Sequence, residues 1–263
     1  MHRTNALRRA WRIANGTLVD VGGYRLRVQC LGSGEPTVVM DSGLDADRYT
    51  WGIVPGNVSR FARVCTYDRA GIGESDAGAH PRTSQQIVQE FDRLLKNAKI
   101  PSPYILVGHS FGGINMRLYA SQHPDTIVGL VLVDASQEDQ FERSVKFMTP
   151  DEQAEDLQHE CGNNEEGVDV LASYEQVRNT HLSPSLLLTV LSAENDYDCS
   201  EQAAAQLHLE LQAKLAQLVP AGELVIVKNT GHWIQNDQPQ VVIQAIEDMV
   251  NEACRLKSKR GNL

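Results

Sequence analysis

The chain has no apolar run of the length that a membrane span requires, which is roughly 20 residues. It is also short of positive charge, with 24 Lys and Arg against 34 Asp and Glu and a formal net charge of -10 at pH 7. A surface of this sign is unsuited to nucleic acid or to anionic membranes, because both carry negative phosphate groups. We therefore expect a small-molecule substrate, no nucleic-acid partner and no integral membrane segment.

Cysteine is scarce as well, with five residues at no spacing typical of a metal site. Cys30 and Cys65 lie in strand-like runs, and we interpret them as small buried hydrophobic residues. Cys161 and Cys199 lie in polar surroundings, and whether they are bridged is left open. The sequence predicts no cofactor and no metal. The oligomeric state is not indicated.

A recognisable secretory signal is also lacking. The first 16 residues are rich in arginine, but no apolar segment follows them. The sequence as written therefore predicts a cytoplasmic protein, and secretion stays open if an N-terminal signal was removed.

What the chain does contain is an alternation of short apolar runs with amphipathic helical stretches. Two β-type runs at the N-terminus, joined by Gly22-Gly23, predict a hairpin. Six later apolar runs lack alternation, as expected for strands buried on both faces, at 37–40, 64–67, 104–107, 127–133, 186–191 and 224–227. Helical spacing of apolar residues predicts helices at 84–99, 112–123, 200–218 and 238–256. We predict an α/β fold with a mostly parallel, eight-stranded sheet and helices on both faces.

One interval interrupts this alternation. Residues 138–185 are acidic and polar and contain no clear strand before the run at 186. They predict a helical excursion from the sheet, and two interpretations stay open: a solvated surface insertion, or a cap or lid that shapes a substrate pocket. The predicted organisation is a first part of the core at 1–137, the insertion at 138–185, and the last part of the core at 186–263.

The most informative motif is Gly108-His109-Ser110-Phe111-Gly112, which follows an apolar run and precedes a helical stretch. A serine in such a strand-to-helix turn stands exposed at the carboxyl edge of a sheet, and the flanking glycines leave room around it. The following helix directs its amide groups and positive end toward charge that develops beside the hydroxyl. Ser110 is therefore the candidate nucleophile of a nucleophile elbow.

A serine hydroxyl is a poor nucleophile at neutral pH unless a base lies beside it. His232 follows the last predicted strand, so in a parallel sheet it lies at the same edge as Ser110. We take His232 as that base.

These motifs, taken in order, resemble the α/β-hydrolase fold family. Residues 67–75, YDRAGIGES, resemble the loop after the family's fourth strand, with its Asp-x-x-Gly-x-Gly-x-Ser pattern. Residues 229–235, NTGHWIQ, resemble the segment that carries the family's histidine. The resemblance covers nearly all of residues 19–249 except the insertion. It implies a serine esterase or lipase-like enzyme with an inserted helical lid.

The resemblance also implies an acid that orients His232 and stabilises its imidazolium. The family order is serine, acid, histidine, and the acid usually follows the strand before last. Asp196 stands there and is our first choice, with Glu194 and Asp198 close by. Some relatives take the acid from the end of the preceding strand, where Asp134 stands as the alternative.

An oxyanion hole requires two backbone N–H groups near the developing negative charge. Phe111, which follows the nucleophile, matches one donor. Leu44, in the loop after the run at 37–40, matches the other, although Ser42 replaces the family's usual histidine.

The function that the resemblance implies is cleavage of carboxylic esters through an acyl-enzyme intermediate with a Ser-His-Asp catalytic triad, that is, carboxylesterase activity. Other serine-type reactions also occur on this fold, among them those of thioesterases, amidases, perhydrolases and C–C hydrolases. A ligand-sensing protein that retains the triad but turns over slowly is a further alternative. The sequence does not indicate which acyl or alcohol groups are accepted.

Overall fold

The computed structural model describes residues 16–194 and 202–260, apart from the side chain of residue 260. Its centre is an eight-stranded sheet. The strands are Thr17–Asp20 (β1), Arg25–Leu31 (β2), Thr37–Asp41 (β3), Arg63–Tyr67 (β4), Tyr104–His109 (β5), Ile127–Val133 (β6), Leu187–Ala193 (β7) and Glu223–Val227 (β8). Their order across the sheet is β1-β2-β4-β3-β5-β6-β7-β8.

The sheet is antiparallel at one edge and parallel elsewhere. The β1–β2 and β2–β4 pairs are antiparallel, and every other pair is parallel. Gly22 and Gly23 join β1 to β2 with φ values of 116° and 106°, which side-chain-bearing residues rarely adopt. The predicted hairpin and the mostly parallel eight-stranded sheet are confirmed.

Helices lie on both faces of this sheet. They span Val54–Val58 (α1), Ser84–Asn97 (α2), Phe111–Gln122 (α3), Gln140–Ser144 (α4), Pro150–Glu160 (α5), Val170–Arg178 (α6), Gln202–Ala216 (α7), Ile234–Asp237 (α8) and Pro239–Arg260 (α9). Short 3-10 turns occur at Arg48–Trp51 and Val145–Phe147. None of these helices, within the residues described, has both the length and the apolar character to cross a membrane.

Two apolar clusters hold the layers together. One packs α2, α3, α6 and part of α7 against one face of the sheet, and the other packs α1 and α9 against the opposite face. All residues of β3 and β5 are buried, which explains why their sequences do not alternate between polar and apolar residues. Burying each large aliphatic side chain contributes about 1.5 to 3 kcal/mol, so these central strands fix the frame of the site.

The interval between β6 and β7 folds into α4, α5 and α6. A capping box starts α5, in which Thr149 and Glu152 bond to each other's backbone N–H groups. Asp169 caps α6 through the N–H of Ala172, at 2.8 Å. The helices α4, α5 and α6 lie within residues 138–185, the interval in which the sequence predicted no strand. The division of the chain into a core and an insertion stays a prediction.

Cys30 and Cys65 form a disulfide, and Cys30 is exposed, so the interpretation of both as small buried hydrophobic residues was wrong. They are directly opposite each other in the antiparallel β2–β4 pair, with Cα atoms 4.1 Å apart. The composition of each strand could not reveal this, because the bond depends on which strands become neighbours. Cys161 is exposed and bonds to no described cysteine, and Cys199 lies outside the described residues.

Candidate active site

Ser110 occupies the turn between β5 and α3. Its φ of 52° and ψ of -126° are unusual for a residue with a side chain, as expected at a strained nucleophile elbow. The neighbouring glycines are required by close backbone contacts. A Cβ on Gly108 would lie 2.6 Å from the Cα of Gly113, and one on Gly112 would lie 2.5 Å from the carbonyl oxygen of Asp41.

A cavity of about 300 Å³ opens at the carboxyl edge of the sheet beside this turn. The candidate nucleophile and the candidate base, Ser110 and His232, both line it. The rest of its wall includes apolar and polar side chains of α4, α5 and α7, among them Gln140, Phe141, Asp156, Glu160, Leu207, His208, Leu211 and Gln212. The structure therefore brings together two residues that stand far apart in the sequence.

The carboxylate that meets His232 is Asp134, at the end of β6. Nδ1 of His232 donates to Oδ2 of Asp134 at 2.8 Å, and the Asp134 side chain is fully buried. Burial alone would raise the pKa of Asp134, but hydrogen bonds from His208 and His232 outweigh it and hold that pKa below its ordinary value. Asp134 was the second choice from sequence, and the first choice, Asp196, lies outside the described residues.

This contact fixes the protonation pattern of the imidazole. A carboxylate can only accept, so the proton of neutral His232 is on Nδ1 and the lone pair is on Nε2. That is the tautomer a general base requires, because Nε2 is then able to take a proton from a hydroxyl.

A second histidine on the same carboxylate was missed by the sequence reasoning. Nε2 of His208, on α7, donates to Oδ1 of Asp134 at 2.9 Å. Only 11% of the His208 side chain is exposed. Its sequence position, in a polar helix after β7, carries no local signal for such a role.

His109 supports the segment that carries His232. Its Nε2–H donates to the carbonyl oxygen of His232 at 2.9 Å, and its ring centre lies 4.6 Å from the His232 ring. Burial lowers the pKa of His109 to about 3, so its ring stays neutral at physiological pH. The Trp233 ring lies 4.8 Å from it on the same segment. His109 is therefore placed to hold the loop rather than to transfer the proton.

The loop after β3 lies directly against the elbow. A Cβ on Gly43 would be 3.2 Å from the Cβ of Ser110. Phe111 is the first residue of α3, so its N–H has no partner within that helix. The backbone N–H groups of Leu44 and Phe111 thus occur in segments that border Ser110.

Arg69, in the loop after β4, supports the loop after β3. It is buried and donates to the carbonyl oxygens of Ser42 and Gly43 at 2.7 and 2.5 Å. It also pairs with Asp41 at 2.6 Å and with Glu166 of the β6–β7 interval at 2.5 Å. The sequence placed Arg69 in a loop motif but gave no signal for Glu166, which lies 97 positions away.

Two acidic side chains of α5, Asp156 and Glu160, line the cavity. Burial, with a contribution from nearby Asp156, raises the pKa of Glu160 to about 7. One carboxylate oxygen of Glu160 has no hydrogen-bond partner among the described residues. No trio of His, Cys, Asp or Glu in the described parts of the chain is arranged to hold a metal.

Comparisons with known proteins agree with this architecture. Residues 36–207 match the family described as the alpha/beta hydrolase fold. The uncharacterized protein YqjL of Bacillus subtilis is 30% identical over 226 residues, which cover 85% of this chain and 87% of that protein. A thermophilic esterase from Thermogutta terrifontis has a TM-score of 0.65 at 21% identity, covering 90% of this chain and 97% of that one. An enol-lactonase from Burkholderia xenovorans LB400 has a TM-score of 0.64 at 20% identity, covering 89% of this chain and 100% of that one.

Proposed function

This chain belongs to the α/β-hydrolase fold family, and on that basis we propose that it hydrolyses carboxylic esters through an acyl-enzyme intermediate. Ser110 is the nucleophile, His232 the general base and Asp134 the acid of the triad. The observation that carries the proposal is the 2.8 Å contact of His232 with buried Asp134 at a cavity that Ser110 also lines. The names esterase and enol-lactonase, borne by two proteins of similar fold, are consistent with this substrate class.

The first half of the reaction forms the acyl-enzyme. Oγ of Ser110 attacks the ester carbonyl carbon while Nε2 of His232 takes its proton, and Asp134 stabilises the resulting imidazolium. The carbonyl oxygen becomes an oxyanion that accepts hydrogen bonds from the N–H groups of Leu44 and Phe111. The tetrahedral intermediate then collapses, the ester C–O bond breaks, and His232 returns the proton to the leaving alcohol.

The second half releases the acid. A water molecule gives one proton to Nε2 of His232 and attacks the acyl carbon, and the same two backbone N–H groups bind the oxyanion. Collapse breaks the bond to Oγ, and His232 returns the proton to Ser110.

We further propose that residues 138–185 act as a cap, because Gln140, Phe141, Asp156 and Glu160 from this interval line the cavity. The acyl or alcohol group of the ester would lie against them.

Replacing the nucleophile tests the proposal. Ser110→Ala should lower kcat/KM for a p-nitrophenyl ester by at least a thousandfold, since no hydroxyl remains to form the acyl-enzyme. Ser144→Ala is a matched control, because Ser144 also lines the cavity but belongs to α4. It should stay within a fewfold of the wild type. A fluorophosphonate should label the wild type and Ser144→Ala at residue 110. Wild-type turnover by Ser110→Ala would disprove the assignment.

The same assay decides between the two candidate acids. Asp134→Asn should lower kcat by about two to four orders of magnitude, because an amide neither stabilises the imidazolium nor fixes the correct tautomer. Asp196→Asn should have a much smaller effect. The reverse ranking would transfer the role of the acid to Asp196. A panel of oxygen esters, thioesters and anilides of one acyl group would then show which bond is preferred.

A further inference from the structure

The Asp134 carboxylate has different partners at its two oxygens. Oδ2 accepts from His232 at 2.8 Å, whereas Oδ1 accepts from Nε2 of His208 at 2.9 Å and from the N–H of Ala193 at 2.8 Å. The carboxylate is fully buried, so solvent does not compete for it. Its orientation is therefore set by these donors.

Helix α7 reaches the end of β6 through two side chains, one turn apart. His208 bonds the carboxylate of Asp134, and Nε2 of Gln212 donates to the carbonyl oxygen of Ala135 at 2.8 Å. Residues four apart lie on the same face of a helix, so α7 contacts two successive residues of the acid-bearing segment. Only the His208 contact reaches the group that binds His232.

We propose that His208 is a positioning residue for the acid of the triad, a role that rests on the proposed esterase function. Its N–H holds Oδ1, which keeps Oδ2 directed at Nδ1 of His232. The hydrogen bond from His208 also reduces the electrostatic attraction between the Asp134 carboxylate and protonated His232. The base then stays unprotonated at a lower pH than it would beside an Asp134 bonded by His232 and Ala193 alone.

The other charged and titratable groups near this pair are retained in every variant compared below. His109 lies against the His232 ring on the sheet side, and Asp156 and Glu160 line the cavity from α5. An Arg143–Glu210 ion pair joins α4 to α7 at 2.8 Å. Their influence is common to all the variants. Nε2 of His208 also lies 3.5 Å from Oγ of Ser192, an uncharged group, so the acid limb of the pH profile is the readout that responds to the Asp134 contact.

Two substitutions of His208 separate an electrostatic role from a packing role. His208→Gln keeps an N–H donor at a similar reach, and His208→Leu removes the donor. In His208→Leu the carboxylate gives more of its charge to His232, so the imidazolium is stabilised and the acid limb of the kcat/KM profile moves to higher pH. We expect that shift together with about a tenfold loss of kcat at pH 7. His208→Gln should retain most of the activity and the wild-type acid limb.

Two controls exclude other causes. Gln212→Leu removes the neighbouring α7 contact without touching Asp134, so its acid limb should stay at the wild-type pH. His181→Leu replaces an exposed histidine elsewhere and should change neither rate nor profile. Thermal unfolding of each variant verifies that it is folded. An unshifted acid limb in folded His208→Leu, or a His208→Gln as impaired as His208→Leu, would overturn the inference. If Ser110→Ala abolishes activity in those cases, the proposed function still stands.

Discussion

Arg69 shows at the residue scale how a buried charge shapes the candidate oxyanion loop. Its guanidinium donates to two consecutive carbonyl groups, those of Ser42 and Gly43, and is neutralised by Asp41 and Glu166. A planar group with five N–H donors suits this fork of acceptors better than a lysine would. Glu166 therefore connects the interval between β6 and β7 to the loop that borders Ser110.

Glu166→Gln tests this connection. Asp41 still pairs with Arg69 in this variant, so the loss is that of the charged hydrogen bonds between Glu166 and the guanidinium, which typically contribute about 1.5 to 3 kcal/mol. We expect a lower free energy of unfolding in urea, by up to that amount, together with a lower kcat because the loop loses its fixed position. Glu165→Gln, at the exposed neighbouring position, should change neither quantity. Equal behaviour of the two variants would show that the Arg69–Glu166 pair has no such role.

At the scale of the elements, the Cys30–Cys65 disulfide joins β2 to β4 at the antiparallel edge of the sheet. The site lies at the carboxyl ends of β5, β6 and β7 and after β8, so the disulfide contributes none of the residues that line the cavity.

Disulfides persist in oxidising compartments and are rare in the cytosol of mesophiles. The cytoplasmic location inferred from the sequence stays a prediction, and the pairing state of these two cysteines in the native host bears on it.

Loss of the Cys30–Cys65 disulfide should lower the stability of the fold more than it lowers kcat. The bond closes a segment of 35 residues, for which the loss of chain entropy in the unfolded state is worth about 3 to 4 kcal/mol. We expect the Cys30→Ser, Cys65→Ser double variant to unfold at a lower urea concentration while keeping kcat at 25 °C within about twofold. Cys161→Ser, at an exposed position, is the control. Unchanged stability of the double variant, with thiol counting confirming the bond in the wild type, would contradict this expectation.

At the scale of the whole molecule, stability should depend on pH through Glu160. Its pKa rises to about 7 in the fold from an ordinary value of 4.5. The folded state therefore binds more protons than the unfolded chain between those values, and its stability decreases as pH rises across that window. The change amounts to about 3 kcal/mol.

Glu160→Gln removes this titration. The difference in unfolding free energy between the wild type and Glu160→Gln should change by about 3 kcal/mol between pH 4.5 and pH 7.5, with the wild type losing stability relative to the variant. Urea unfolding at a series of pH values measures it. Glu155→Gln, at an exposed position on the same helix, is the matched control. If the difference in unfolding free energy between the wild type and Glu160→Gln did not change with pH, the raised pKa of Glu160 would be contradicted.

The sequence carried strong signals for the strands and the elbow. Gly108 is required by a contact with Gly113, five positions away, whereas Gly112 is required by a contact with Asp41 of β3. Non-alternating apolar runs follow directly from burial of a strand on both faces. The acid had no such signal. Asp134 follows β6 and Asp196 comes after β7, and these strands are parallel neighbours, so both positions satisfy the sequence pattern. The contact between His232 and Asp134 depends on how the segment after β8 folds back across the sheet.

The positions of the strands and helices along the chain and the serine-bearing turn were thus indicated by the sequence itself, because apolar spacing and glycines within a few residues determine them. The parallel sheet follows from the alternation of strands with helices. Tertiary structure alone decided that His232 meets Asp134, 98 positions away, that His208 takes the other carboxylate oxygen, and that Cys30 lies opposite Cys65. These pairings require strand order and helix docking to be complete. Hydrogen bonds and disulfides form only at contact distance, and no local pattern along the chain encodes that distance.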